Sequence, residues 1–219
     1  MSFGNYSSKL VNCQERGDGT ELFVVEGDSA ARSVARVRNE SYQAVLPMQG
    51  KPLNAWKASQ QRVARFDLFN VFSQSIGTGL GDAFKLSDVK FGRVVLLFDP
   101  DADGIHCGAL LSMFLYRWMN ELVTANRVLI SHAPLYEFQS ARLANRAYAY
   151  TDEDHDRVVD FMREKEISNY KTICFRGLGN LPPEVLREKC VDPTTRRTSQ
   201  LTESDCLAAI NVFGGQVTT

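Results

Sequence analysis

No stretch of the chain reaches the roughly 18 consecutive apolar residues that a membrane-crossing helix requires, and residues 1–20 have no apolar signal core. An excess of charge of either sign is also missing. Lys and Arg number 25 against 26 Asp and Glu, a net charge of −1. The bulk charge therefore does not announce a nucleic-acid coat, and any such contact must be local. Cysteine patterning is absent too. Cys13, Cys107, Cys174, Cys190 and Cys206 are odd in number and form no CxxC pair, which argues against a zinc site or a disulfide framework. Reduced thiols in a cytoplasmic protein are the plain reading. There is no GxxxxGK[ST] phosphate loop, no internal repeat and no low-complexity tract.

What is present is an ordinary globular composition, 44% apolar and 23% charged over 219 residues. At roughly 150 residues per domain this is one domain plus an appendage. Residues 1–20 are polar and Gly-rich and read as a flexible lead-in. The apolar run ELFVVE, 21–26, reads as a buried strand, and Asp28 or Ser29 is placed to cap a following helix that ends near Arg38. QAVLP, 43–47, is a second strand, and 56–75 holds one or two helices. RVVLLF, 93–98, is apolar on both faces, as central parallel strands are. A long helix is expected over 105–123 and a strand over 127–131. Strands alternating with helices define an α/β domain with a mostly parallel sheet flanked by helices, spanning 21–138. Beyond it, 139–150 reads as a hairpin, Thr151 caps a charged helix running to about Lys165, and 171–175 is another strand. Short helices follow around Asp192-Pro193. This small C-terminal tail region, 139–219, is expected to pack on the first domain.

Asp99-Pro100-Asp101-Ala102-Asp103-Gly104 places three carboxylates at alternate positions directly after the strongest strand. In open α/β sheets, sites form beyond the carboxyl ends of strands. Like charges this close repel, and oxygen-only donors suit a hard cation such as magnesium. Three other readings compete. An EF-hand loop needs Glu at its twelfth position, where this chain has Leu110, and a helix before it, where this chain has a strand. A solvated acidic turn is the second, and helix capping by Asp103 the third. Glu26 bears on the choice, because it too ends a buried strand and precedes a Gly turn. Two acidic strand ends in one parallel sheet can converge on one ion.

At these residues the chain resembles a known family. Glu26-Gly27-Asp28-Ser29-Ala30 and Asp99 to Gly104 with His106 look like the two acidic motifs of the TOPRIM module, a Rossmann-like fold, in the B subunits of type IIA DNA topoisomerases, that is, of DNA gyrase and topoisomerase IV. Leu46-Pro47-Met48-Gln49-Gly50-Lys51-Pro52-Leu53-Asn54 resembles the family's basic loop. Arg117 sits in a matching helix, and Ala133-Pro134-Leu135-Tyr136 matches the segment after it. Gly177-Leu178-Gly179 and Asp192-Pro193 to Arg197 resemble its C-terminal tail. The resemblance covers about residues 20–213 in order.

The resemblance implies a magnesium-dependent module for cleaving and rejoining double-stranded DNA. In it Glu26 acts as general acid or base and can ligate metal, while Asp99, Asp101 and Asp103 hold Mg2+, or Mn2+ in its place. It further implies that the nucleophile is a tyrosine of a partner A-type subunit, where an arginine precedes it. None of the seven tyrosines here follows an arginine. The ATPase half found in this family is expected to be absent from this chain. Lys51, Asn54, His106 and Arg176 are the candidate DNA-contacting residues. For Lys51, Lys57, Arg62 and Arg65 the competing reading is a solvated face, and for His106 a structural role. Trp56 and Trp118 read as core.

Several positions depart from the family pattern. Ala31-Arg32 stand where it usually has two glycines, Gln49 and Gly108 where it has arginines, Arg176 where it has lysine, and Asn180 where it has glutamate. Two further functions therefore stand beside the first. One is a non-catalytic TOPRIM-fold paralogue that binds DNA or a partner protein. The other is a self-contained nuclease using water.

Overall fold

The computed structural model describes residues 9–215. The chain opens its regular structure with β1 (Gly17–Glu26), α1 (Gly27–Val37) and β2 (Gln43–Met48). Two short helices follow, α2 (Gln60–Ala64) and α3 (Asp67–Ile76), then β3 (Phe91–Leu97). Next come α4 (Ala102–Trp118), α5 (Asn120–Thr124) and β4 (Val128–Ser131). The C-terminal portion holds β5 (Tyr136–Gln139), β6 (Ala147–Ala149), α6 (Asp152–Glu164), β7 (Lys171–Cys174), α7 (Pro183–Leu186), β8 (Thr198–Gln200) and α8 (Glu203–Ala209).

The principal sheet runs β2-β1-β3-β4-β8, with the first four strands parallel and β8 antiparallel to β4. Its central strands are buried on both faces. Leu22, Val24, Val94 and Leu96 point into one core with α3, α4 and α5. Phe23, Val25, Val95 and Leu97 point into a second core with α1 and the tail. The period-2 alternation thus feeds two apolar layers rather than one, which is why these strands read as continuous apolar runs. Phe69 stacks on Phe114 in the first layer, ring centroids 3.8 Å apart. Each such fully buried side chain contributes roughly 1.5–3 kcal/mol.

The chain runs from β1 outward to β2 and then returns to the other side of β1 to form β3. The strand order therefore reverses between β1 and β3, and a crevice forms at the carboxyl ends of these two strands. Val25 pairs with Leu97, so Glu26 and Asp99 emerge at almost the same level.

The tail is bonded into this domain. Arg196, in the Asp192–Arg197 motif, donates from Nη1 to Glu21 Oε2 at 2.8 Å and from Nη2 to Oε1 at 2.5 Å. Gln43 Nε2 donates to the same carboxylate at 2.9 Å. Glu21 and Arg196 are both buried, and such a charge is tolerated only when paired and hydrogen-bonded. A separate three-stranded antiparallel sheet, β6-β5-β7, packs with α6 around Phe138, Ala149, Met162 and Ile167. The expected hairpin is β5-β6, and Thr151 caps α6 by accepting from the Asp154 amide.

Four expectations are corrected. The lead-in is structured in its later part: β1 begins at Gly17, which pairs with Phe91 of β3, and Val11 bridges Val45 of the edge strand β2, both through backbone bonds that the side-chain pattern does not announce. Residues 1–8 lie outside the described residues. At α1 neither Asp28 nor Ser29 caps. The helix starts at Gly27, whose φ of +74° lets the strand turn straight into it, and Asp28 binds Lys9 and Gln49 instead. Capping of α4 falls to Asp101, not Asp103: its carboxylate accepts from Gly104 N at 2.8 Å, and the helix starts at Ala102. The long helix over 105–123 breaks at Met119, where the Asn120 side chain takes the Tyr116 carbonyl.

Candidate functional site

Glu26 closes β1 with its carboxylate half-buried among acids. Burial pushes its pKa above the ordinary value, and Asp99, Asp101 and Asp103 push it further, against a smaller opposing effect of Lys51. Its Oε2 is buried and has no hydrogen-bond partner. Oε1 accepts weakly from the Cys107 thiol at 3.9 Å. Asp99, two residues past the end of β3, is also raised by burial, with Asp101 adding to the shift and the Leu178 amide opposing it.

That amide comes from the tail. Leu178 N donates to Asp99 Oδ1 at 2.8 Å, and Gly177 sits so close that a Cβ there would lie 2.8 Å from Asp99 Oδ2. A Cβ on Gly179 would lie 3.1 Å from Ser29 Oγ. The Gly-Leu-Gly segment therefore packs against both acidic loops at once, and any larger residue at 177 would displace the carboxylate. Arg176, the residue before it in the chain, is exposed.

Lys51 reaches over the opposite edge. Its Nζ donates to Asp103 Oδ1 at 2.9 Å and lies 3.4 Å from His106 Nδ1. The Lys51 ammonium holds the Asp103 carboxyl below its ordinary pKa. Both side chains are largely exposed, so the pair is weak and open to exchange for another partner. Asn54 is used internally: Nδ2 donates to Phe213 O at 2.9 Å and Oδ1 accepts from Trp56 N at 3.2 Å.

The acids, Lys51 and His106 thus share one end of the sheet, and Arg176 adjoins the Gly-Leu-Gly segment in sequence. Among the described residues, however, no group of three or more His, Cys, Asp or Glu side chains is already drawn together as a metal cage. Asp101 is turned to its capping bond and Asp103 to Lys51. The donors nonetheless fit a hard cation in kind. All are carboxylate oxygens, one is buried without a partner, and their mutual repulsion is what a divalent ion would relieve.

Two residues of this site are not among the candidates read from the sequence. Cys107 is buried, and burial, then Glu26, pushes its thiol up to about 11, so it stays protonated and donates. It stands four residues after Asp103, one helical turn on, a spacing visible in the sequence. Phe213 stacks on His106, and no local pattern links two positions so far apart.

Two acidic strand ends at the strand-order reversal of a mostly parallel sheet flanked by helices are the arrangement of a Toprim domain. The Toprim family model matches residues 21–132, and the chain belongs to that family. Its relatives are the B subunits of type II topoisomerases. It is 35% identical to the DNA gyrase B subunit of Thermotoga maritima over 206 residues, which is 94% of this chain and 32% of the relative. It is 34% identical to the DNA gyrase B subunit of Archaeoglobus fulgidus over 94% of this chain and 32% of the relative. It is 36% identical to the DNA topoisomerase 4 B subunit of Staphylococcus aureus over 87% of this chain and 28% of the relative. The chain spans about a third of the length of these relatives. No helix among the described residues is long and apolar enough to cross a membrane.

Proposed function

We propose that the chain is the magnesium-dependent DNA cleavage and religation module of a type II topoisomerase, working with an A-type subunit that supplies the tyrosine nucleophile. The observation that carries this reading is Glu26: a carboxylate with one buried, unpartnered oxygen, within one residue of the level of Asp99 at the strand-order reversal. Glu26, Asp99 and Asp101, with Asp103, would hold Mg2+, with Mn2+ as a substitute. When bound, the ion would stabilise charge on the phosphate during cleavage and rejoining. The raised pKa of Glu26, set first by burial and then by the neighbouring aspartates, makes it hold a proton more readily than an exposed carboxylate does, which suits a general acid or base. Lys51 and Arg176 flank the acids and would meet the DNA backbone. His106, beside Lys51, would add to that contact, while Asn54, engaged with Phe213 and Trp56, would act by holding the loop that carries Lys51.

The test is calorimetric titration with Mg2+ of the chain and of an Asp99→Ala, Asp101→Ala double variant, followed by plasmid cleavage in the presence of an A-type subunit. Weak magnesium binding that the double substitution abolishes is expected, with cleavage only when both proteins are present. Equal binding by the two proteins would remove the metal assignment. Metal-dependent nicking by the chain alone would favour the nuclease with a water nucleophile.

A second reading, a non-catalytic relative that holds DNA or a partner protein, draws on the Lys51–Asp103 pair. An ammonium already occupies one of the acids a metal would need. Binding of duplex DNA without any dependence on divalent metal would favour it.

A further inference from the structure

The last described turn, Ile210–Gly214, folds over the loop at 49–57. Phe213 makes two different contacts there. Its ring stacks on His106, with centroids 4.8 Å apart and planes at 21°. Its carbonyl accepts from Asn54 Nδ2 at 2.9 Å. The following Gly214 is buried, and a Cβ there would lie 3.2 Å from the Trp56 ring. One residue of the tail therefore grips both a ring on α4 and an amide of the basic loop.

The grip has a direction. A half-exposed histidine on a helix surface has several rotamers open to it. Stacking selects the one in which Nδ1 faces Lys51 Nζ at 3.4 Å, and Lys51 in turn lies 2.9 Å from Asp103. Asn54, held at Nδ2, presents Oδ1 to the amides of Trp56 at 3.2 Å and Lys57 at 3.4 Å, which fixes the turn of the loop that carries Lys51. We propose that Phe213 is a positioning residue: through His106 and Asn54 it sets where the Lys51 ammonium and the imidazole stand beside the acidic cluster, and so how that edge receives a phosphodiester. The DNA half of this inference rests on the function proposed above, while the positioning half does not.

Phe213→Leu keeps the apolar bulk and the carbonyl and removes the stacking. Phe213→Tyr keeps the ring. Two measurements are needed on each folded protein: the His106 ring-proton resonances, assigned with His106→Gln among only three histidines, and magnesium-dependent binding of a short duplex by fluorescence anisotropy. Phe213→Leu is expected to move the His106 resonances downfield, as the ring current is lost. It should weaken duplex binding about two- to tenfold, the range of one aromatic stacking contact. Phe213→Tyr should preserve both. Unmoved resonances with unchanged affinity in Phe213→Leu would overturn the inference. Tighter binding by Phe213→Leu would also overturn it, because the ring would then be covering the face rather than ordering it. A wild type that binds no duplex at all sinks the DNA reading, and the positioning is then decided by the nuclear Overhauser contact between the His106 ring and the Lys51 side chain, expected in wild type and lost in Phe213→Leu; its persistence in Phe213→Leu would overturn the inference.

Discussion

Gly177 stands so close to Asp99 that a Cβ on it would lie 2.8 Å from Oδ2 and 3.1 Å from Cγ. The carboxylate cannot simply swing aside, because its other oxygen accepts from the Leu178 amide at 2.8 Å. Gly177→Ala therefore forces Asp99 off its present position while leaving both cores untouched. The expected outcome is a drop in magnesium affinity of about tenfold, equivalent to ~1.4 kcal/mol, with little change in melting temperature. Gly179→Ala, whose Cβ would lie 3.1 Å from the hydroxyl of Ser29, should have a smaller effect. Calorimetry on both variants checks this, and identical affinities for wild type and Gly177→Ala would contradict it.

The pH dependence of stability has a defined sign. Glu26 and Asp99 both have folded pKa values raised above their ordinary ones, chiefly by burial. A carboxyl raised on folding binds its proton more tightly in the native state, so stability falls as pH rises through the window that opens at about 4. Substituting Glu26→Gln together with Asp99→Asn removes that penalty and keeps the acceptor for Leu178. The double variant should melt about 2 °C or more above wild type at pH 7.5, and no higher than wild type at about pH 3.5, where the native carboxyls are protonated. Added Mg2+ should raise the wild-type melting temperature at pH 7.5 and not that of the variant. A variant that melts lower at pH 7.5 would mean that the carboxylates stabilise the apo fold.

The parts of this structure legible in the sequence are those set by local chemistry. The apolar run at 93–98 and the acids directly after it yielded β3 and the site end of the sheet. Thr151, three residues before Asp154, yielded the α6 cap. What stayed hidden depends on distant partners or on backbone alone. The strand β8 is three polar residues, and only its pairing with β4 makes it part of the sheet. Gln43 and Arg196 look like surface residues until Glu21 is seen buried between them. The α4 cap lies one carboxylate earlier than the sequence suggests, since three acids at alternate positions give no local sign of which one turns back on the helix. The stacking of Phe213 on His106 has no periodic signature at all.

The buried ion pair gives a strong stability prediction. Arg196 fills both oxygens of Glu21 and also donates to the Val191 carbonyl at 3.1 Å. Arg196→Ala leaves a buried carboxylate with Gln43 as its remaining side-chain donor. A loss of about 3–5 kcal/mol is expected in urea unfolding. Arg196→Lys should recover only part of it, because an ammonium cannot fill both oxygens in parallel. A loss below about 1 kcal/mol for the alanine variant would show that the pair does not tie the tail to the sheet.

Lys51 neutralises one acid, and Arg176 lies exposed beside the Gly-Leu-Gly clamp, so two cations border a cluster of four carboxylates. Without a divalent ion the excess negative charge repels a phosphate, and the chain's net charge of −1 supplies no long-range attraction to offset it. With an ion bound, the same edge would become attractive, and Lys51 would release Asp103 for a backbone phosphate at little cost because their pair is exposed. Short-duplex binding measured by anisotropy should therefore be poor in chelator, stronger with Mg2+, and should weaken steeply with added salt as neutralised phosphates recapture counterions. Lys51→Ala with Arg176→Ala should lower the slope of log affinity against log salt by up to about 2, close to one per phosphate contact removed. If neither Mg2+ nor the double substitution changes duplex binding, this edge does not face DNA, and the non-catalytic reading takes precedence.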